Sequence, residues 1–231
     1  MKFSVPLGSR PLLTILLTVN VIVVGLSIWA GISEGDLRTY FDEESFITWL
    51  STFQLLAIAI VSAGLYILRS RQRWSWRSPA IVWLLIALGF AFLAADEFYE
   101  YHERLDIWLH GLLGIEETGL TDRTDDVIVG LYGVIAAGIA YRYRHEIKRY
   151  RNILPLLWSG FAVLFVMVFL DILTNRPDIL SFMLGLDTAL PVRNALEVLE
   201  EFCKLTVGSL GLVSVCRAFR TEKAETRRYR L

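Results

Sequence analysis

Two acidic stretches carry the residues of this sequence that could do chemistry. ADEFYEYHE, residues 95–103, holds four carboxylates and a histidine and directly follows the uncharged run 79–94. EVLEEFCK, residues 197–204, opens another long apolar run. Clusters rich in carboxylate oxygens bind hard cations such as Ca²⁺, Mg²⁺ or Mn²⁺, and a nearby histidine would also admit Zn²⁺. The two stretches therefore predict a site for a divalent cation.

Helical phase selects the candidate ligands. At about 100° per residue, Asp96, Glu100 and Glu103 share one face of a continuous helix, while His102 points away from that face. Continued further, the same helix would bring Glu103, Asp106 and His110 together as a second candidate trio. The predicted metal ligands are Asp96, Glu100, Glu103, Asp171, Glu197, Glu200 and Glu201, with His102, Asp106 and His110 as secondary candidates.

Roles within the acidic group differ. Glu97, Glu100 and Glu201 are the candidates for a catalytic carboxylate. Lys204 is the predicted charge partner of the group, through an ion pair with Glu200 or Glu201. Asp125 and Asp126 follow Thr124 at a predicted helix start, where helix capping accounts for them.

Several other chemistries lack the residues that they need. The chain has only three histidines, which argues against a three-histidine zinc site or a bis-histidine haem. No glycine-rich phosphate loop or nucleic-acid-binding surface is evident, so we expect no haem, nucleotide or flavin and no nucleic-acid partner. The arginine clusters are better explained by membrane topology than by an anionic ligand.

The elements that must position these residues are membrane-spanning helices. The chain is 55% hydrophobic, and its apolar residues form six runs of nearly the 20 residues or so that a helix needs to cross a bilayer. The predicted spans are residues 11–31, 46–68, 79–98, 125–141, 153–172 and 195–216, followed by a basic tail at 217–231. We predict a single all-α membrane domain, a bundle of six transmembrane helices in contact with the lipid bilayer.

Loop charges alternate between basic and acidic along the chain. Placing the basic loops in the cytoplasm puts both termini there and the acidic stretches on the extracytoplasmic face of the cell membrane. Residues 177–191 and 111–120 are apolar but too short to span, which suits short interfacial helices in the outer loops.

Two functions are compatible with these patterns. The first is a divalent-cation-dependent hydrolase acting on a lipid or another membrane-adjacent substrate. The second is non-enzymatic: a cation- or proton-coupled transport component, or an assembly subunit of a larger membrane complex, with homo-oligomers also allowed. A carrier would need polar groups that continue inward past Asn20 or Gln54, whereas mid-membrane polar residues (Asn20, Gln54, Ser62 and Ser209) are sparse.

Overall fold

The computed structural model describes residues 10–41, 45–70, 78–114, 124–174 and 177–228. Every regular element in these ranges is a helix. The α-helices are α1 (Arg10–Glu34), α2 (Phe46–Ser70), α3 (Ile81–Tyr99), α4 (Tyr101–Leu113), α5 (Thr124–Arg142), α6 (Arg144–Arg149), α7 (Leu154–Thr174), α8 (Pro177–Leu184) and α9 (Leu186–Arg228), and Arg38–Tyr40 forms a 3₁₀ turn.

Five of these helices are long and apolar enough to cross a membrane: α1, α2, α3, α7 and α9. The apolar part of α5, Ile128–Arg142, is shorter. Large apolar side chains point outward from the bundle, as Phe165 of α7 does at 77% exposure. Lipid accommodates such a surface and water does not, so the predicted all-helical membrane protein agrees with the structure.

Helix α2 packs between α3 and α9, and α9 also packs against α7, α1 and α8. Two glycines of α9 allow its close approach to α2. A Cβ atom at Gly208 would collide with the side chain of Gln54, and one at Gly211 would lie 3.1 Å from Ile58 Cδ1. Small residues at helix contacts are a common way of bringing membrane helices together.

The bundle has two chemically different ends. Glu97 near the end of α3, Thr174 at the end of α7 and Lys204 of α9 lie at one end, which we call the carboxylate end. Arg69 near the end of α2 and Glu222 of α9 lie at the other, the arginine end. Helices α2 and α9 therefore run in the same direction, antiparallel to α3 and α7.

One prediction about these elements needs correction, and the bounds of two others change. Residues 96–110 do not form one continuous helix, because Glu100 adopts the left-handed conformation (φ 54°) and separates α3 from α4. The last span and most of the predicted tail form one helix that extends to Arg228. The segment 177–191 is divided at Gly185 (φ 79°) between α8 and α9. The segment 111–120 lies mostly outside the described residues.

Candidate functional site

An ion-paired triad of Glu97, Glu201 and Lys204 occupies the carboxylate end of the bundle. Lys204 Nζ lies 3.1 Å from Glu97 Oε1 and 2.8 Å from Glu201 Oε1. Ser51 of α2 donates a hydrogen bond of 2.5 Å to Glu97 Oε1. Together with Ser51, the triad thus links α2, α3 and α9 at the carboxylate end.

The triad has one formal negative charge in excess. Its side chains are only 20% (Glu97), 14% (Glu201) and 29% (Lys204) exposed. The Oε2 atom of Glu201 is buried and has no hydrogen-bond partner among the described residues. A partly buried carboxylate oxygen without a partner is costly unless a proton or a cation can neutralise it.

The remaining candidate carboxylates are divided among separate partners. Glu200 Oε2 accepts a hydrogen bond of 3.0 Å from Thr174, one turn after Asp171 on α7. Glu197 pairs with Arg193 one turn earlier on α9, at 3.0 Å. The Thr174–Glu200 hydrogen bond joins α7 to α9, whereas the Arg193–Glu197 pair lies within α9.

The prediction that His102 points away from the acidic face is wrong. Its Nδ1 atom lies 3.1 Å from Asp96 Oδ2, and its backbone N–H donates to Asp96 Oδ1 at 2.9 Å. The phase argument assumed an unbroken helix, whereas the left-handed Glu100 turns the chain so that Asp96 receives the first turn of α4. Glu100 acts here through its backbone, accepting a hydrogen bond from the Arg104 N–H at 3.0 Å.

The second predicted ligand trio does not assemble either. His110 Nδ1 lies 3.1 Å from Asp106 Oδ1 on the same helix face, whereas Glu103 approaches His102, with 4.0 Å between Oε1 and Nε2. Among the residues that the structure describes, no group of three or more His, Cys, Asp or Glu could hold a metal ion. The geometry therefore gives the divalent-cation prediction no support, because most of its ligands are already engaged with cationic, hydroxyl or histidine partners. The side chains of Asp125 and Asp126 lie outside the described part.

A buried polar network lies one to two helical turns inward from the triad. Gln54 Nε2 donates to Asn20 Oδ1 at 2.9 Å, and Asn20 Nδ2 donates to Ser209 Oγ at 2.9 Å. Asn20 and Ser209 are fully buried, and Gln54 Oε1 has no partner in the described part of the chain. The sequence identified these residues as mid-membrane polar positions, and the fold joins three of them across α1, α2 and α9.

An ionic network closes the arginine end. Arg69 contacts Glu146 at 2.9 Å and Glu222 at 3.8 Å, and Arg149 lies 3.6 Å from Glu222 and also pairs with Glu225. The Tyr150 hydroxyl donates to Glu222 at 2.8 Å. Burial, and then this hydrogen bond, raise the pKa of Tyr150.

Sequence reasoning missed this network, although a signal for it existed. Glu146, Glu222 and Glu225 are the acidic residues of segments that are otherwise strongly basic. Glu146 and Glu222 are buried, at 7% and 6% exposure. A buried carboxylate needs a charged or hydrogen-bonding partner, so an isolated acid in a basic segment predicts an ion pair.

Apolar residues of α2 separate the polar network from the arginine end. Ile58 and Leu65 of α2 are 1% and 0% exposed and lie between Gln54 and Arg69. Ser62, fully buried, lies between these two layers. Between Gln54 and Arg69 the buried face of α2 is therefore apolar except for Ser62.

An apolar cleft of about 430 Å³ lies next to the carboxylate end, between α1 and α9. It is lined by Ile28, Leu37, Pro191, Asn194, Ala195 and Val198. Val198 lies one helical turn before Glu201, so the cleft and the triad are neighbours along α9.

The fold and this site define a helical membrane protein with ionisable side chains inside its bundle. The chain belongs to a family described as a domain of unknown function (DUF8692), whose profile matches residues 12–219. Comparisons with curated proteins and with solved structures give no match.

Proposed function

We propose that this chain is a proton-coupled transport component of a cell membrane, in which the triad of Glu97, Glu201 and Lys204 binds and releases the proton. The observation that carries the proposal is the placement of Lys204 between two carboxylates of membrane-spanning helices. Ionisable groups inside a membrane bundle are rare and usually belong to ion or proton pathways.

The topology that we propose has six spans, with both termini in the cytoplasm. Lys204 and Glu222 are eighteen residues apart on α9, and Ser51 and Arg69 are eighteen residues apart on α2. Each interval corresponds to about 27 Å of helix, close to the thickness of the hydrocarbon core. The two charged ends thus fit the two boundaries of one membrane.

Helix α5 is the proposed sixth span. At its middle Tyr132 packs edge-on against Phe92 of α3, with 5.2 Å between ring centroids. Near its end Ile139 packs against the cluster that contains Val82 and Trp83. These contacts of the second half of α5 support an antiparallel course beside α3, and the basic segments then favour the arginine end as the cytoplasmic side.

Protonation would change the charge of the triad from one net negative charge to neutral. Glu201 is the stronger candidate for the proton, because its Oε2 atom has no partner among the described residues. Glu97 already accepts hydrogen bonds from both Ser51 and Lys204. A lysine between the carboxylates keeps the second one ionised and so limits the site to one proton or one monovalent cation.

The layered interior supports a transport role over a static one. The polar network of Asn20, Gln54 and Ser209 continues inward from the triad, which meets the requirement that a carrier have polar groups past the carboxylate end. The apolar layers and the ionic network beyond it close the other side. Alternating access requires a site that opens to one face while the other is sealed.

Proton flux into liposomes tests the proposal. The purified protein is reconstituted with an internal pH dye, and a potassium diffusion potential drives proton entry. We expect flux above that of empty liposomes. The flux should fall at least about tenfold in Glu201→Gln, because an amide cannot take the place of the carboxylate that binds the proton; each factor of ten corresponds to roughly 1.4 kcal/mol. Glu197→Gln is the matched control, one turn away on the same helix and paired with Arg193, and should retain the flux.

Two results would contradict the proposal. One is a wild-type flux no greater than that of empty liposomes. The other is equal flux in wild type, Glu201→Gln and Glu197→Gln. Replacing the potassium diffusion potential by a sodium gradient in the same liposomes distinguishes proton coupling from coupling to a monovalent metal cation. A flux driven only by sodium would contradict the proton assignment.

A further inference from the structure

We infer that an exposed basic surface at the arginine end binds the headgroups of anionic phospholipids. The basic surface consists of Arg151 in the turn before α7 and of Arg220, Lys223 and Arg227 on α9, all of them exposed. It lies at the opposite end of the bundle from the triad. The inference uses the membrane boundary proposed above, but it does not depend on proton coupling.

The arginine end carries a large excess of positive charge. Residues 69–70, 142–151 and 217–228 hold eleven arginines and lysines but three glutamates. Arg69 engages Glu146 and Glu222, and Arg149 engages Glu222 and Glu225. The charge of the three glutamates is thus already matched within the ionic network, and the end as a whole attracts anions.

The acidic and basic residues of α9 lie on different faces of the helix. Glu225 is about 60° from Glu222 around the helix axis, toward the ionic network. Lys223, Arg227 and Arg220 lie at about 100°, 140° and 160° from Glu222 in the other direction. The inside-positive rule accounts for the number of basic residues at this end but not for their separation by face. A separate basic face is what an anionic layer beside the bundle would contact.

The turn before α7 adds a second element to the basic surface. Asn152 Nδ2 donates to Thr221 Oγ1 at 3.3 Å, and Arg217 donates to the backbone carbonyl of Asn152 at 3.4 Å. These hydrogen bonds hold the turn against α9, so the neighbouring Arg151 borders the exposed bases of that helix. Guanidinium groups recognise phosphate through paired hydrogen bonds, which suits the phosphate of a lipid headgroup.

The depth of the basic surface favours a lipid over a soluble anion. Lys223 follows Glu222, which lies at the proposed membrane boundary, and Arg227 is about 6 Å further along the helix. The headgroup layer extends roughly 5–8 Å beyond the hydrocarbon on each side. Trp158 and Tyr141, exposed by 72% and 71%, lie near the same level on α7 and α5, as aromatic residues of membrane boundaries do.

Two lipids with the same chains separate charge recognition from apolar binding. Equilibrium binding of dioctanoyl phosphatidylglycerol and of dioctanoyl phosphatidylcholine is measured on the purified full chain in a neutral detergent. We expect the anionic lipid to bind at least about tenfold more tightly, a difference of roughly 1.4 kcal/mol. The preference should shrink at about 1 M salt, because salt screens exposed charges. Equal affinity for the two lipids at low salt would overturn the inference.

A matched pair of double variants locates the binding surface. Lys223→Gln/Arg227→Gln removes two charges from the basic surface, whereas Arg38→Gln/Arg104→Gln removes two from exposed positions near the carboxylate end. The first should weaken binding of phosphatidylglycerol about tenfold or more, since each base near the headgroups contributes to the attraction. The second should leave binding unchanged. Equal affinity of the two variants for phosphatidylglycerol would place binding elsewhere and overturn the inference.

Glycerol 3-phosphate distinguishes a lipid from a soluble phosphate, because it carries the charge without the acyl chains. We expect it to bind at least about tenfold more weakly than phosphatidylglycerol. Binding as tight as that of the lipid would assign the surface to a soluble anion and overturn the inference. Selective lipid binding without proton flux would remove the proposed function alone, and proton flux without selective lipid binding would remove this inference alone.

Discussion

Removing the ammonium group of Lys204 is the sharpest test of how the carboxylate end is built. Lys204→Met keeps the length and apolar stem of the side chain but leaves Glu97 and Glu201 facing each other without a cation. Loss of one partner from a buried ion pair typically costs about 3–5 kcal/mol. Lys204 is 29% exposed, so water screens part of this cost, and we expect the lower end of the range, about 3 kcal/mol.

A compensating variant distinguishes lost charge pairing from lost packing. Adding Glu97→Gln and Glu201→Gln to Lys204→Met removes every charge of the triad while retaining its shape. If unpaired charge causes the destabilisation, this triple variant should lie within about 1 kcal/mol of the wild type, because a neutral set of similar volume often replaces a buried ionic group with little change in stability.

The measurement is the free energy of unfolding in mixed micelles, obtained by titration with denaturing detergent. The three variants are the single Lys204→Met, the double Glu97→Gln/Glu201→Gln and the triple. A triple variant no more stable than the single one would refute the charge argument and point to packing of the lysine stem. A single variant within about 1 kcal/mol of wild type would show that water already screens the pair, as in surface ion pairs.

Three further predictions concern the rest of the bundle. Gly208→Ala should lower stability by about 1–3 kcal/mol, since its methyl group collides with Gln54; Gly89→Ala, whose methyl group meets nothing within 4 Å, is the thermal-unfolding control. Tyr150→Phe should cost about 1–2 kcal/mol by leaving a buried carboxylate without its donor. The pKa of Tyr150 is raised in the folded chain and is near 10 in the unfolded chain, so the phenol is neutral in both below about pH 9. The stability difference between wild type and Tyr150→Phe should therefore stay constant between about pH 6 and pH 9 in denaturant titrations. Asp96→Ala should raise amide exchange in residues 99–104 by about tenfold or more, because the first turn of α4 loses its acceptor; unchanged exchange there would contradict this role.

The sequence was sufficient to predict which segments form the main membrane helices. Long uncharged runs can satisfy their backbone groups in lipid only as helices, so the predicted spans and α1, α2, α3, α7 and α9 agree closely. The ends were harder to predict. Glu100 in a left-handed conformation is uncommon for a residue other than glycine, and no local pattern indicated that the helix would break there.

The same break in the helix at Glu100 also limited the prediction of the site. Helical phase placed Asp96 with Glu100 and Glu103, but the turn at Glu100 brings Asp96 to His102. Lys204 was predicted to pair with Glu200 or Glu201, and its Nζ atom lies 2.8 Å from Glu201 Oε1. Its contact with Glu97 depends on how α3 packs against α9, which the periodicity of a single helix does not contain.

The contrast between the two ends suggests how a carrier of this design would work. At the arginine end, Arg69, Arg149 and Tyr150 engage the carboxylates of Glu146 and Glu222, so several contacts would have to break together before that end opened. At the carboxylate end, one lysine serves two carboxylates, and an oxygen of Glu201 lacks a partner among the described residues. A ligand shifts a conformational equilibrium only through its different affinities for the two states. A proton or cation therefore gains the most free energy by binding at the carboxylate end, where the negative charge is not fully paired. Opening the arginine end would require its ion pairs and hydrogen bonds to break.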